Sequence, residues 1–299
     1  MSKKHSFIKG CLILMRPPNL PTAAADILAG GAIVGAFSQN RILLPYDLIL
    51  LVVASILLYA GGVVLNDVFD LKIDTLERPE RPIPKGVVSL RTAAVLGGSL
   101  LLLGVILSFI CNKEAGLVAL VLTSTILLYD ALAKHHSFFG PLVMGGCRGL
   151  NLLLGMSLFG LPEGPNWYFI LLPIIYIAAV TLISRGEVHG NNKRNIMLSG
   201  FLYLVVASAI FIIMFRDVNS FFKVILFLIV FVFSVFRPLL KAFRINTPEN
   251  IKKAVKSGVL SLVLMDAALA SANSTWWVGL LIILLLPLSL LLSKRFSVT

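Results

Sequence analysis

Residues 46–74 read Tyr46-Asp47-Leu48-Ile49-Leu50-Leu51-Val52-Val53-Ala54-Ser55-Ile56-Leu57-Leu58-Tyr59-Ala60-Gly61-Gly62-Val63-Val64-Leu65-Asn66-Asp67-Val68-Phe69-Asp70-Leu71-Lys72-Ile73-Asp74. No charged residue stands between Asp47 and Asp67, and about 20 apolar residues suffice to cross a bilayer as a helix. The apolar residues are consecutive rather than alternating, which excludes a strand of a membrane barrel. The stretch is a membrane span that ends in a run of carboxylates.

The rest of the chain has the same character. Of 299 residues, 58% are apolar and only 13% charged, with a mean hydropathy of +0.95. Soluble domains carry about 45–50% apolar and about 25% charged residues, so this composition excludes a soluble enzyme, a disordered chain and a nucleic-acid-binding domain. The net charge of +12 is accordingly assigned to cytoplasmic loops and to anionic lipid or substrate. Cys11, Cys111 and Cys147 are scattered and form no disulfide framework or paired metal motif; they read as small buried residues.

By length and hydropathy ten candidate spans emerge, at 12–38, 46–69, 89–111, 115–133, 138–160, 166–185, 196–215, 219–240, 251–272 and 276–293. Pro17, Pro18 and Pro21 interrupt the first, and the break at 216–218 is short. With the N-terminus inside, the inner segments hold most of the cations, including Lys3, Lys4, Lys9, Lys72, Arg78, Arg81, Lys85, Lys193, Arg194, Lys241, Arg244 and Lys252. The outer segments hold only Arg41, Lys113, Arg216 and Lys223. That bias predicts an integral protein of the cytoplasmic (inner) membrane with both termini cytoplasmic, organised as one domain over 1–299.

On a helix, Asp67, Asp70 and Asp74 lie at i, i+3 and i+7, close to one face. Three carboxylates there repel one another unless a cation lies between them, and Mg²⁺ takes carboxylate and phosphate oxygens together. Glu77-Arg78-Pro79-Glu80-Arg81-Pro82-Ile83-Pro84-Lys85-Gly86 follows directly. Its prolines stop the helix and stiffen the loop, which brings Arg78, Arg81 and Lys85 over the carboxylates as a phosphate clamp.

Asn66-Asp67-x-x-Asp70-x-x-x-Asp74 followed by Arg78-Pro79-x-Arg81-Pro82-Ile83-Pro84-Lys85-Gly86 resembles the first signature of the UbiA superfamily of intramembrane prenyltransferases. The resemblance implies an all-α, polytopic bundle of nine to ten transmembrane helices around a central cavity open to the cytoplasmic side. The implied activity is Mg²⁺-dependent transfer of a prenyl group from a polyprenyl diphosphate to an aromatic or hydroxyl acceptor. Where the family carries a second acidic motif, this chain reads Ser184-Arg185-Gly186-Glu187-Val188-His189-Gly190-Asn191. Glu187 takes the place of the first acid and Asn191 that of the second, one turn apart if helical. His189 adds a titratable group, as a partner of an acid, an acceptor contact or a ligand. The Arg-Gly-Glu-x-His-Gly string is similar to the EboC-like branch, whose members accompany secondary metabolism.

On this reading Asp67, Asp70, Asp74 and Glu187 are catalytic metal ligands, and Asn66, Lys72, Arg78, Arg81, Lys85 and Arg148 bind diphosphate. Arg16, Asn19, Asn151, His189 and Asn191 line the cavity. Buried charge is expensive in a bilayer, so Arg148 either reaches the diphosphate or pairs with an acid. Asp26 and Asp266 serve either an interhelical pair or the cavity, and Lys134 binds diphosphate or anchors the span. The predicted partners are the donor, a lipophilic or aromatic acceptor and membrane lipids, with no nucleic acid. Two other classes compete: a non-catalytic isoprenoid carrier, favoured by Asn191, and a secondary transporter. The transporter is disfavoured because both motifs lie on one membrane side.

Overall fold

The structure is a computed structural model describing residues 3–37, 46–215 and 218–296. Arg41, Arg216 and most of the 216–218 break lie outside the described residues. Within them the chain is helical throughout: α1 (Lys3–Leu14), α2 (Leu20–Ile33), α3 (Tyr46–Phe69), α4 (Leu71–Glu77), α5 (Leu90–Cys111), α6 (Lys113–Ala131) and α7 (Phe139–Met156). There follow α8 (Leu171–Ser184), α9 (Lys193–Met214), α10 (Val218–Arg244), α11 (Pro248–Asn273), α12 (Trp276–Ile283) and α13 (Leu285–Ser293). Nine helices among the described residues are long and apolar enough to cross a membrane, with α12 and α13 counted together as Trp276–Ser293. They coincide with the last nine predicted spans to within a few residues.

The first predicted span, 12–38, does not form one helix. Arg16 adopts left-handed backbone angles (φ 48°, ψ 64°), Pro17–Asn19 make a tight 3-10 turn, and α2 restarts at Leu20 with Pro21 in its first turn. Proline removes a backbone donor and fixes its own φ, so Pro17 and Pro18 forbid a continuous helix there. The resulting α2 has 14 residues, nearly all buried, and packs between α7 and α11. Its backbone runs against α7: a Cβ on Gly30 would lie 2.5 Å from the Leu152 carbonyl oxygen, and one on Gly155 would lie 2.6 Å from that of Ile27. Close approach through small residues is how apolar helices gain contact where lipid supplies no hydrophobic drive.

Elsewhere the helix ends follow ordinary capping chemistry. Asn112 Oδ1 accepts from the Ala115 amide at 2.7 Å, and Ser89 Oγ from the Thr92 amide at 3.1 Å. Helix α10 runs past the predicted 219–240 to Arg244, so Lys241 and Arg244 occupy its last turn rather than a loop, where cations favour the helix dipole. At the centre stands α11, with 83% of its spanning window buried. The C-terminal pair α12–α13 covers it and reaches α2 and the Pro17–Asn19 turn.

Polar groups inside the bundle find one another across helices. Arg148 Nη1 donates to Asp26 Oδ2 at 2.6 Å, and Arg148 Nη2 donates to Thr22 Oγ1. Asn151 Nδ2 donates to Asp26 Oδ2 at 2.7 Å, while Ser55 Oγ donates to Asn151 Oδ1 at 2.7 Å. Of the alternatives open for Arg148 and Asp26, the structure selects the interhelical ion pair.

Removing one partner of a buried pair leaves an uncompensated charge, at a cost of about 3–5 kcal/mol. Asp26→Asn should therefore lower the thermal transition of the detergent-solubilised protein by several degrees, read by scanning fluorimetry. Replacing both Asp26 and Arg148 with leucine should recover part of the loss. An unchanged transition in Asp26→Asn would show that the pair carries no weight.

Candidate active site

The polar chemistry gathers at one end of the bundle, where α3 and α8 end and α5 and α11 begin. Helix α3 passes into α4 with only a kink at Asp70 (φ −84°, ψ 2°), because the Asp70 amide still donates to Asn66 O at 2.9 Å and the Asp74 amide to Asp70 O at 2.8 Å. Asp67 and Asp74 thereby keep the common face predicted for them. Beyond α4, Pro82 O accepts the Val87 amide at 2.9 Å, and Gly86 turns through φ 73°. Ile83 and Val88 are buried in a small apolar core with Leu14, Val64 and Ala93. That core ties the proline loop to α1, α3 and α5, which fixes where its cations point.

Four carboxylates and their cations interlock there. Arg81 Nη1 bridges Asp67 Oδ1 at 3.0 Å and Asp74 Oδ2 at 2.6 Å, while Arg16 Nη2 donates to Asp67 Oδ1 at 2.9 Å. Asp70 turns the other way: Lys134 Nζ lies 2.5 Å from its Oδ1, and Asn66 Nδ2 donates to its Oδ2 at 3.0 Å. Arg78 Nη2 stands 3.8 Å from Glu187 Oε2 and joins the proline loop to the second motif. Burial pushes the Asp74 carboxyl above its ordinary range against the pull of Arg81, with Asp67 and Asp70 adding to the rise. Burial also raises Glu187, opposed by Arg78, Lys252, Arg16 and Arg81.

Of these groups Arg16, Asp67, Arg78, Arg81 and Glu187 line a cleft of about 720 Å³ together with Lys9, Lys85 and Lys252, whereas Asp70 and Asp74 are not among its lining residues. A second, more apolar cavity of about 170 Å³ runs between α3, α6 and α7; Leu58, Tyr59, Ile126, Met144, Arg148 and Asn151 are among its walls. Arg16 lines both, so it marks the junction. The left-handed conformation of Arg16 costs about 1–3 kcal/mol, and its guanidinium lies at that junction.

Not every predicted residue joins the cleft. Lys72 is exposed on α4, on the side away from Asp74. Arg148 lies in the apolar cavity, its guanidinium 5.0 Å from the Tyr59 ring centroid and paired with Asp26, apart from the phosphate clamp. Asn19 is buried in the 3-10 turn and lines neither cavity. The helical spacing of Glu187 and Asn191 does not form. Residues 185–192 are a turn in which Gly190 and Asn191 have positive φ (69° and 52°), leaving His189 and Asn191 exposed and Glu187 buried. Asn192 holds the turn by donating to Leu182 O and Ile183 O, both at 3.0 Å.

Sequence reasoning left Lys9, Lys252 and Asp130 outside the site. Lys252 sits on α11 and Lys9 on α1, with no local motif to mark either. For Asp130 a signal existed, since an acid near the end of an apolar span carries a cost that needs a reason.

Among the described residues no three His, Cys, Asp or Glu side chains stand together as a ready-made metal site. The donor set nevertheless suits a hard cation. It consists of oxygen ligands, burial raises two of them (Asp74 and Glu187) above the ordinary carboxylate range, and Glu187 Oε1 is buried with no hydrogen-bonding partner.

The UbiA prenyltransferase family model matches residues 27–256. Digeranylgeranylglyceryl phosphate synthase from Metallosphaera sedula is 39% identical over 146 residues, 49% of this chain and 50% of that one. The Saccharolobus solfataricus enzyme of the same name is 33% identical over 190 residues, 63% and 64% of the two chains. The chain thus spans between half and two thirds of the length of these curated relatives. A solved structure described as concerning digeranylgeranylglyceryl phosphate synthase in membranes superposes with a TM-score of 0.63 at 21% identity, covering 89% of this chain and 98% of that one. A UbiA homologue from Archaeoglobus fulgidus, bound to GPP and Mg²⁺, gives a TM-score of 0.62 at 16% identity and covers 83% and 99%. Fold and family agree with the motif at Asn66–Gly86, and the chain is an integral membrane protein belonging to the UbiA prenyltransferase family.

Proposed function

We propose that the chain, acting as one domain over 1–299 with its cleft and both termini on the cytoplasmic side, transfers a polyprenyl group from its diphosphate to a hydroxyl acceptor. The observation that carries the reading is the meeting, at Arg16, of a cleft lined by paired carboxylates and cations with an apolar cavity inside the bundle. A polyprenyl diphosphate has the same division, a dianionic or trianionic head on a hydrocarbon tail. The Archaeoglobus fulgidus homologue's GPP and Mg²⁺ support this donor class and metal. The relatives' name denotes a glyceryl phosphate carrying two geranylgeranyl groups, which supports a hydroxyl-bearing, phosphate-bearing lipid as acceptor. Lys9, Lys85 and Lys252 give the rim the charge to hold a second phosphate. The Arg185–Gly190 string supports an EboC-like setting in secondary metabolism.

Asp67, Asp70, Asp74 and Glu187 would hold Mg²⁺, which when bound neutralises charge on the leaving diphosphate. Arg16, Arg78 and Arg81 now neutralise Asp67, Asp74 and Glu187, and guanidinium forks fit phosphate oxygens as well as carboxylates. On donor binding the arginines would exchange carboxylate for diphosphate oxygens, and the carboxylates so released would hold Mg²⁺. The walls of the apolar cavity exclude water from the allylic carbon while the carbon–oxygen bond loosens.

A carrier that binds isoprenoid without turnover is the second reading, favoured by the exposure of Asn191, which leaves Glu187 as the one acid of the second motif facing the cleft. Diphosphate release by the detergent-purified protein with geranylgeranyl diphosphate, a phosphoglyceryl and phenolic acceptor pool, and either Mg²⁺ or EDTA separates the two. Metal-dependent release is expected, falling about 100-fold or more in Asp67→Asn; release that persists in EDTA would remove the metal, and donor binding without release would leave a carrier. Arg81→Gln should weaken donor binding about tenfold or more, measured as Mg²⁺-dependent retention of labelled donor. Asn191→Asp, on the exposed turn, should change that retention less than threefold; a larger gain would place residue 191 in the metal site.

A further inference from the structure

Most buried acids among the described residues form an ion pair, whereas one that faces the apolar cavity keeps an oxygen with no partner. Asp26 has Arg148, and Asp67 and Asp74 share Arg81. Asp130, near the end of α6, is 3% exposed, and its Oδ2 has no hydrogen-bonding partner. Lys134, one turn further along the chain, pairs with Asp70 at 2.5 Å, and Arg16 pairs with Asp67 at 2.9 Å. Asp266 also lacks partners but lines neither cavity. Asp130 does line the apolar cavity, in company with Arg16, Asn66 and Tyr129, at the end where that cavity meets the cleft. A buried carboxyl oxygen without a hydrogen-bonding partner in a bilayer-spanning helix is costly, and a bound group that donates a hydrogen bond to it would recover part of that cost.

On the function proposed above, the tail lies in the apolar cavity and the diphosphate in the cleft, so the reacting allylic carbon lies at their junction. We infer that Asp130 is the group that receives the acceptor's hydroxyl: it accepts a hydrogen bond from that hydroxyl, orients its oxygen toward the allylic carbon and takes its proton. In the step, the bond from the allylic carbon to the diphosphate oxygen breaks and its electron pair leaves with the diphosphate. The acceptor oxygen forms a new bond to that carbon, and the hydroxyl proton passes to the Asp130 carboxylate, from which water carries it away as product departs. No oxidant or further reactant enters. A positioned base of this kind contributes typically about 10²–10⁴-fold.

The experiment compares wild type, Asp130→Asn, Asp130→Glu and Asp130→Leu, each purified full-length in detergent and shown to be folded by its thermal transition. Donor binding is read with geranylgeranyl diphosphate and Mg²⁺. Transfer is read with glyceryl phosphate bearing one geranylgeranyl group. Hydroxyl recognition is read independently of turnover, as the affinity for geranylgeraniol against that for its methyl ether. The expected result is donor binding within threefold of wild type in Asp130→Asn, transfer reduced about 100-fold or more, and partial recovery in Asp130→Glu. The wild-type preference for the alcohol over the ether, at least several-fold, should vanish in Asp130→Leu. Transfer within threefold of wild type in Asp130→Asn would overturn the inference, as would equal affinity of the wild type for alcohol and ether. If the wild type binds donor but transfers nothing, the proposed function fails, and the alcohol–ether comparison still decides whether Asp130 recognises a hydroxyl.

Discussion

Lipid offers no hydrogen bond to a peptide group, so every backbone donor and acceptor within the bilayer must be satisfied inside a helix. This constraint decides where chemistry can be built. Among the described residues most irregular backbone lies between the spans, and the loops at 78–89 and 185–192 both lie at the same end of the bundle. Each is held by local means, the first by a small apolar core under Ile83 and Val88 and the second by Asn192. The site is a meeting of helix ends, and its precision derives from the rigidity of the helices behind them.

Within that frame, charge compensation organises the polar residues. Asp67 and Asp74 are drawn together by one guanidinium, Asp70 is drawn aside by Lys134, and Glu187 is tied to the proline loop by Arg78. Pairing on this scale lets several charges stand at a membrane boundary with little solvent. It also leaves the cleft rich in groups that exchange one partner for another of the same charge. Arg16 belongs to both the cleft and the apolar cavity, and its strained backbone is the local cost of that position.

The C-terminal pair α12–α13 lies beyond the family match, which ends at 256. It packs so closely on α11 that a Cβ on Gly279 would lie 2.0 Å from Ser271 Oγ. By covering α11 and touching the Pro17–Asn19 turn, the pair braces the segment that carries Arg16. The end of the chain thus supports the first residues of the site.

Length and hydropathy located the long spans because both are local properties: a run of about 20 apolar residues must cross a bilayer whatever it packs against. The run from Asn66 to Lys85 was legible for the same reason, since its carboxylates, prolines and cations are contiguous and the helical repeat places Asp67 and Asp74 together. The broken first span was visible in its prolines, though not the left-handed Arg16 that results. Arg148 and Asp26 are 122 positions apart, Lys134 reaches back to Asp70 on another helix, and Lys9 and Lys252 come to the cleft from opposite ends of the chain. Their meetings depend on which faces of which helices touch. In a membrane protein the lipid-facing and buried faces are equally apolar, as exposed Leu102 and Ile110 beside buried Leu101 and Val105 illustrate on one helix. Periodicity therefore announces the helices but not their neighbours, and the assignment of partners across the bundle belongs to the tertiary structure alone.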